Sequence, residues 1–359
     1  MFSSDEIKQI CSCFILSGEY ISFSPIKAGN INNTFKINFT DNNSYILQQI
    51  NTAVFKNTAV LMNNIDKVTS FLGKKESKMT SLFCYPALDG KKYYTDSHGR
   101  VWRVYNYIDD SVCYNILSSP ELFCKTGAAF GEFQKLLADF PIDELGDTIP
   151  DFHNTAKRYG TFLKSVEADV KNRASKCAPE IEFVKAREAD THVLTDLIAK
   201  GELPIRVTHN DTKINNILFD AETNEPKCVV DLDTVMPGLS LYDFGDAIRS
   251  GASTAEEDET DLNKVSCDLK LYEAYVKGYL STAGDSLTEK EIEFLPFSAK
   301  LLSLECGMRF LTDYLDGDVY FKTSLPDHNL IRCRTQFKLV EDIEQKMEQM
   351  MEITKRAIG

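Results

Sequence analysis

The segment Thr208-His209-Asn210-Asp211-Thr212-Lys213-Ile214-Asn215-Asn216 is a polar stretch between two short apolar runs, residues 205–207 and 217–219. An Asp and an Asn five positions apart in such a loop suit phosphoryl transfer to a hydroxyl group. The carboxylate of Asp211 would accept the proton of the attacking hydroxyl, while the side chain of Asn216 reaches back to a magnesium ion. Fifteen residues after Asn216, Asp231 follows the apolar run Cys228-Val229-Val230. A carboxylate at the end of such a strand holds Mg²⁺ against nucleotide phosphates, because this hard cation prefers oxygen ligands.

Neighbouring residues have two readings each. His209 is either a buried group bonded to the loop backbone or a proton carrier; the first is favoured, because Asp211 already fills the base position. Lys213 either neutralises charge developing on a γ-phosphate or is a solvated loop lysine. Asp233 either assists the metal or caps the turn before Pro237-Gly238. The literal Asp243-Phe244-Gly245 copies a metal motif of protein kinases, but it follows a turn and stands 27 residues after Asn216. We therefore assign the metal to Asp231 and leave Asp243 and Asp246 to the acceptor side or to structural hydrogen bonds. No Walker A, Gly-x-Gly-x-x-Gly or Gly-x-Ser-x-Gly sequence occurs, which argues against P-loop, dinucleotide-binding and α/β-hydrolase readings.

These residues need elements to position them. After a short first helix, residues 21–26, 34–39 and 45–49 read as strands of an antiparallel meander. Apolar side chains at Val60, Leu61, Ile65, Val68 and Leu72 have helical spacing. Residues 101–108 alternate as a strand that ends at Asp109-Asp110. Between the first two strands lies Lys27-Ala28-Gly29-Asn30-Ile31-Asn32-Asn33-Thr34, a donor-rich loop with one glycine. It is expected to cover the phosphates, with Gly29, Asn30, Asn33 and Thr34 as nucleotide contacts. On the third strand, where a kinase would place a lysine for the α- and β-phosphates, Gln48 or Gln49 stands instead. From residue 120 the period turns helical, with Phe130, Phe133, Leu137 and Phe140 on one face as core packing. Further helices are expected at 265–283, 297–316 and 333–357. Short strands at 205–207, 217–219 and 228–230 interrupt the helical part.

Composition bounds the class. The chain has 359 residues, 43% hydrophobic and 26% charged, with 54 acidic against 40 basic side chains and a net charge of −14. It is long enough for two lobes, expected at 1–110 and 111–359. Its averaged field repels nucleic acid and anionic lipid. No run approaches a membrane span, and the N-terminus lacks the pattern of a secretory signal. Ten scattered cysteines form no disulfide framework, so a reduced, cytoplasmic protein is expected.

Taken together, these motifs resemble the aminoglycoside phosphotransferase/choline kinase superfamily, nearly end to end. The resemblance is carried by Tyr45-Ile46-Leu47-Gln48-Gln49 with Asn51, Trp102-Arg103-Val104-Tyr105, residues 207–218, Asp231-Leu232-Asp233-Thr234, Met236-Pro237-Gly238, Asp243-Phe244-Gly245-Asp246, Gly251-Ala252-Ser253-Thr254-Ala255 and Glu305-Cys306-Gly307-Met308-Arg309-Phe310-Leu311. Within the superfamily it is closest to the branch that phosphorylates N-acetylhexosamines at the 1-hydroxyl, where glutamine also replaces the strand lysine. The implied fold is α+β and protein-kinase-like, bilobal, with a small N-terminal antiparallel sheet lobe and a larger, mainly helical C-terminal lobe. The implied reaction moves the γ-phosphoryl of ATP, with Mg²⁺, to the anomeric hydroxyl of N-acetylglucosamine or N-acetylgalactosamine.

Carried over by position, Asp211 is the base, Asn216 and Asp231 are the Mg²⁺ ligands, and Tyr107 with Ile108 forms the hinge at adenine. Asn32, Asp246, Arg309 and Tyr320 would form the sugar pocket. Asn30 stands where members of that branch have histidine. Partners are thus a small-molecule sugar and ATP, with no nucleic acid and no membrane. Two alternatives remain open: a kinase of the same fold acting on a cationic alcohol or aminoglycoside, which Asp313, Asp316 and Asp318 would suit, and a catalytically silent nucleotide-binding protein.

Overall fold

A computed structural model of the chain describes residues 2–26, 31–40, 42–115 and 119–358. In chain order the elements are α1 (Ser4–Cys11), β1 (Tyr20–Ile26), β2 (Asn33–Phe39), β3 (Ser44–Ile50), α2 (Thr58–Leu72), β4 (Tyr94–Thr95), β5 (Val101–Asn106) and β6 (Ser111–Cys113). They continue with α3 (Pro120–Leu136), α4 (Thr155–Ala168), α5 (Ala178–Lys185), α6 (Glu188–Ala199), β7 (Arg206–Thr208), β8 (Ile217–Asp220), β9 (Pro226–Val229) and β10 (Met236–Gly238). The last five are α7 (Ser240–Gly251), α8 (Leu269–Ala283), α9 (Glu289–Glu293), α10 (Leu295–Asp316) and α11 (His328–Ile358).

Two compact units result. The first takes Met1–Val112, Asp139–Ile149 and Leu218–Met236; the second takes Cys113–Ala138, Pro150–Ile217 and Pro237–Gly359. The first unit is built on an antiparallel sheet of order β1-β2-β3-β5-β4. Alternation explains why it forms. Phe35, Ile37 and Phe39 on β2 and Tyr45 and Leu47 on β3 point into one core with Ile7 and Ile10 of α1 and Trp102 and Val104 of β5. Strand β5 is buried along its whole run from Val101 to Tyr105, as befits an interior strand covered on both faces. Helix α2 starts at Asn57, whose side chain accepts the Val60 N–H at 3.2 Å.

The expected division at residue 110 was contiguous, whereas the first unit also includes two later segments. Their attachment is chemical. Asn64 of α2 donates to the carbonyls of Gly146 and Val235 and accepts the Gly146 N–H. Lys75 pairs with Asp139, and Thr80 N–H meets the Lys227 carbonyl. The helical face expected from Phe130 to Phe140 ends early. Helix α3 stops at Leu136, ahead of Pro141, and Phe140 packs instead on Phe71 of α2, ring centroids 5.0 Å apart. The short strands β4, β6 and β10 were not foreseen, since two or three residues carry no readable period.

The second unit is helical around the two-stranded sheet of β7 and β10. Helix α7 is buried from Ser240 to Arg249, and α10 is buried along most of its length. One core gathers α7, α8 and α10 around Phe244, Tyr275 and Leu301, and another joins α4, α5, α10 and α11 around Phe162, Tyr314 and Phe337. None of the ten cysteines forms a disulfide. Among the described residues, no helix is long and apolar enough to cross a membrane.

Helices α3 and α8 pack so closely that a Cβ at Gly278 would overlap the Cys124 carbonyl. Backbone cannot yield as a side-chain tip does. Gly278→Ala is expected to destabilise the fold by about 2–3 kcal/mol, as overpacking does. Urea unfolding measures it; an unchanged midpoint would show that the two helices separate freely.

Candidate active site

The loop after β7 is held from beneath by Asp243. This carboxylate is buried, and its Oδ2 and Oδ1 accept the backbone N–H groups of His209 at 2.9 Å and Asn210 at 2.7 Å. Gln134 of α3 adds a third donor at 2.9 Å. Burial pushes the Asp243 carboxyl above its ordinary value, against the pull of those donors. The His209 ring is buried edge-on to Phe130 and Phe133, so its place is structural. The Asp243-Phe244-Gly245 sequence therefore supports the loop. Its glycine serves packing, since a Cβ at Gly245 would stand 2.5 Å from the Ser298 carbonyl of α10.

Upon this support the residues expected to react meet. Asp211 is partly exposed; its Oδ2 accepts the Asn216 amide at 3.0 Å, and Lys213 Nζ lies 3.0 Å from its Oδ1. Asn216 also donates to the Asp211 carbonyl at 2.7 Å from a one-turn 3₁₀ helix, Ile214–Asn216. The Asp211 charge holds the Lys213 ammonium well above its ordinary value, with Asp246 adding to the effect and burial opposing it. Asp246 accepts the Thr212 N–H at 3.1 Å and an Arg249 guanidinium bond at 2.8 Å. Burial would raise its pKa, but Arg249 and Lys213 outweigh that and hold it below the ordinary carboxylate range. Asp211, Lys213, Asn216 and Asp246 thus form one constellation.

Two of the proposed acceptor residues, Arg309 and Tyr320, come together. Arg309 has Phe152, Phe321 and Tyr320 under its guanidinium at 5.1, 5.6 and 6.0 Å. Its Nη1 lies 3.9 Å from Glu305, whose buried carboxylate is bonded by His153 Nδ1 at 3.0 Å. Arg158 is close enough to Arg309 that, after burial, this neighbour is the next cause depressing its pKa. Tyr320 is exposed, and its N–H is capped by Asp313. Sequence reasoning missed His153, Arg158 and Arg249, which have no motif spacing.

The remaining candidates lie in the first unit. Gly29 and Asn30 fall outside the described residues. Asn33 donates to Gln49 at 2.8 Å, while Gln48 donates to Thr34 at 3.0 Å and accepts from Arg103. Asn32 donates to Asp233 at 2.6 Å, so its amide is engaged there. Tyr107 has Lys36 Nζ over its ring at 3.9 Å, and the Ile108 carbonyl accepts the Ser111 hydroxyl. Asp231 is exposed at the end of β9's run with φ 59°, and Asp233 two residues on is buried against Arg103. Asp233 therefore neither faces solvent as a ligand nor caps the later turn. The signal for Arg103 was legible: a lone charge inside the apolar run Val101-Trp102-Arg103-Val104-Tyr105.

The side chains expected to hold magnesium carry the oxygen donors that this cation prefers. The amide nitrogen of Asn216 is used on Asp211, which leaves its carbonyl oxygen as the ligand atom, and Asp231 offers a carboxylate. Among the described residues no cluster of three or more His, Cys, Asp or Glu exists, so such an ion would take further ligands from phosphate and water.

Asp243→Ala removes the acceptor from three buried donors and is expected to lower stability by roughly 3 kcal/mol. Chemical denaturation measures the loss; a wild-type midpoint would mean that the loop is held by other contacts.

Residues 22–285, well over half of the chain, match the phosphotransferase enzyme family. Among solved structures, an amicoumacin kinase in complex with AMP-PNP, Ca²⁺ and Ami is similar at TM-score 0.63 and 12% identity, over 96% of this chain and 94% of that one. A microcompartment-associated aminopropanol kinase gives 0.59 and 14%, over 96% and 97%. A choline kinase from Cryptosporidium parvum Iowa II gives 0.59 and 13%, over 99% of each. At these identities the likeness concerns the fold, a small antiparallel-sheet lobe followed by a helical remainder. With the family match over residues 22–285, the chain belongs to the phosphotransferase enzyme family.

Proposed function

We propose that the protein transfers the γ-phosphoryl group of ATP to the anomeric hydroxyl of an N-acetylhexosamine, giving the sugar 1-phosphate. Asp211 accepts the hydroxyl proton. Asn216 and Lys213 fix the orientation of its two oxygens, and Lys213 remains charged to meet negative charge developing on the transferred group. A magnesium ion held by Asn216 and Asp231 would neutralise phosphate charge. Asn33 and Thr34, with the backbone of Tyr107 and Ile108, hold the nucleotide. Asp246, Arg309, Tyr320 and Asn32 hold the sugar.

One observation carries the choice of an uncharged acceptor. The acids around Arg309 already have partners of their own. Asp246 is paired with Arg249 and Glu305 with His153. Asp313 caps the N–H groups of Val319, Tyr320 and Phe321, and Asp318 pairs with Arg173. Arg309 remains as a donor, together with Nη1 of Arg158, whose Nε and Nη2 already donate to the Phe152 carbonyl. An ammonium group would find repulsion there, whereas sugar hydroxyls and an acetamido carbonyl would find hydrogen-bond donors.

The second reading, a cationic amino alcohol or aminoglycoside, is favoured by the substrates named for the aminopropanol and choline kinases of similar fold. The silent-protein alternative is opposed by the assembled Asp211, Lys213 and Asn216.

ADP release with Mg²⁺ and ATP is to be measured across N-acetylglucosamine, N-acetylgalactosamine, other hexoses, choline, an amino alcohol and an aminoglycoside, with the phosphate located by NMR. Turnover on the acetylated sugars with phosphate at C1 is expected. Turnover confined to the cations would retain the phosphotransferase and overturn the sugar site. Asp211→Asn should keep ADP binding and lose about 10²–10⁴-fold in kcat, the range of a general base; a wild-type rate would remove Asp211 from that role.

A further inference from the structure

Arg103 is 1% exposed in the middle of β5, where its neighbours are apolar. A guanidinium there is tolerated only with a full set of partners. Asp233 supplies the counter-charge, Oδ1 to Nη1 at 2.5 Å. Gln48, directly across the β3–β5 pair, accepts both Nε and Nη2 on its Oε1, at 2.9 and 2.8 Å. The Tyr105 ring lies 5.0 Å beneath.

The path continues in both directions. Gln48 Nε2 donates to Thr34, and the second oxygen of Asp233 takes the Asn32 amide, whose carbonyl accepts the Asn51 N–H at 3.0 Å. One partly buried network, with Arg103 and Asp233 at its buried centre, therefore runs from the Asn32 to Thr34 end of the phosphate-covering loop, through the sheet, to the turn that carries Asp231. That turn needs holding. Asp231 has a left-handed backbone, φ 59° and ψ 57°, which costs a non-glycine residue free energy, and the 3₁₀ turn Leu232–Thr234 directly follows it.

We infer that Arg103 is a positioning residue: through Asp233 it fixes the turn that presents Asp231 to the metal of the nucleotide complex, and through Gln48 it ties that turn to the phosphate-covering loop. The sheet's cation then serves the metal carboxylate rather than the phosphates, and the glutamine at position 48 is what turns it that way. This rests on the reading of Asp231 as a magnesium ligand and is independent of the acceptor.

The test needs no acceptor. Thermal shift with ADP is followed as Mg²⁺ is titrated, for wild type, Arg103→Lys and Arg103→Gln, together with ADP binding in EDTA. Lysine keeps the charge and loses the fork. The Mg²⁺ concentration at half-maximal shift is expected to rise about tenfold in either variant, as when a residue supporting a metal ligand is changed, with binding in EDTA unchanged. A purely structural role would lower Tm and leave that midpoint where it was, and a wild-type midpoint in a folded variant overturns the inference. If neither variant folds, Gln48→Leu, which removes the acceptor that orients the Arg103 fork toward Asp233, is read in the same way: a raised midpoint supports the inference and a wild-type one overturns it. A wild-type ADP response indifferent to Mg²⁺ would remove the metal reading itself, and the inference with it.

Discussion

A carboxylate taken out of water must find its counter-charge or its donors within hydrogen-bond reach, and much of this molecule is arranged around that constraint. Asp233 finds Arg103, Asp246 finds Arg249, Glu305 finds His153, and Asp243 finds two backbone amides and a glutamine. Each solution fixes a segment that has little regular structure of its own. Asp211 and Asp231, the carboxylates proposed to act, are less buried than these anchors.

The same constraint separates residues that the sequence makes look equivalent. Asp231 and Asp233 are two positions apart and both could bind a metal, yet one is exposed and the other sealed against a guanidinium. Asp243 sits in a literal metal motif, and its oxygens accept bonds from the loop it supports and from Gln134 of α3. Near the proposed acceptor residues the same rule pairs Asp246 with Arg249 and Asp318 with Arg173.

Much of this was legible in the chain. Alternating apolar residues located β1, β2, β3 and β5 within a residue or two, and the spacing of Asp211 and Asn216 picked out a pair that the structure brings to 3.0 Å. The preference for a structural His209 follows the same local reading. What escaped was long-range: the Arg103–Asp233 pair spans 130 positions, and His153 reaches Glu305 across 152. No periodicity encodes such partners; only an isolated charge inside an apolar run hinted at one. Phe140 escaped for another reason, because a spacing of three and four continues on paper past Leu136, where the helix ends.

The assignment of the metal carboxylate is tested most directly by crystals grown with ADP and Mn²⁺, with the ion located by its anomalous scattering. Manganese is expected against an oxygen of Asp231 and the side-chain carbonyl of Asn216, with Asp233 still paired to Arg103. An ion bound to Asp233 or Asp243, with Asp231 away from it, would contradict the division of roles among these acids.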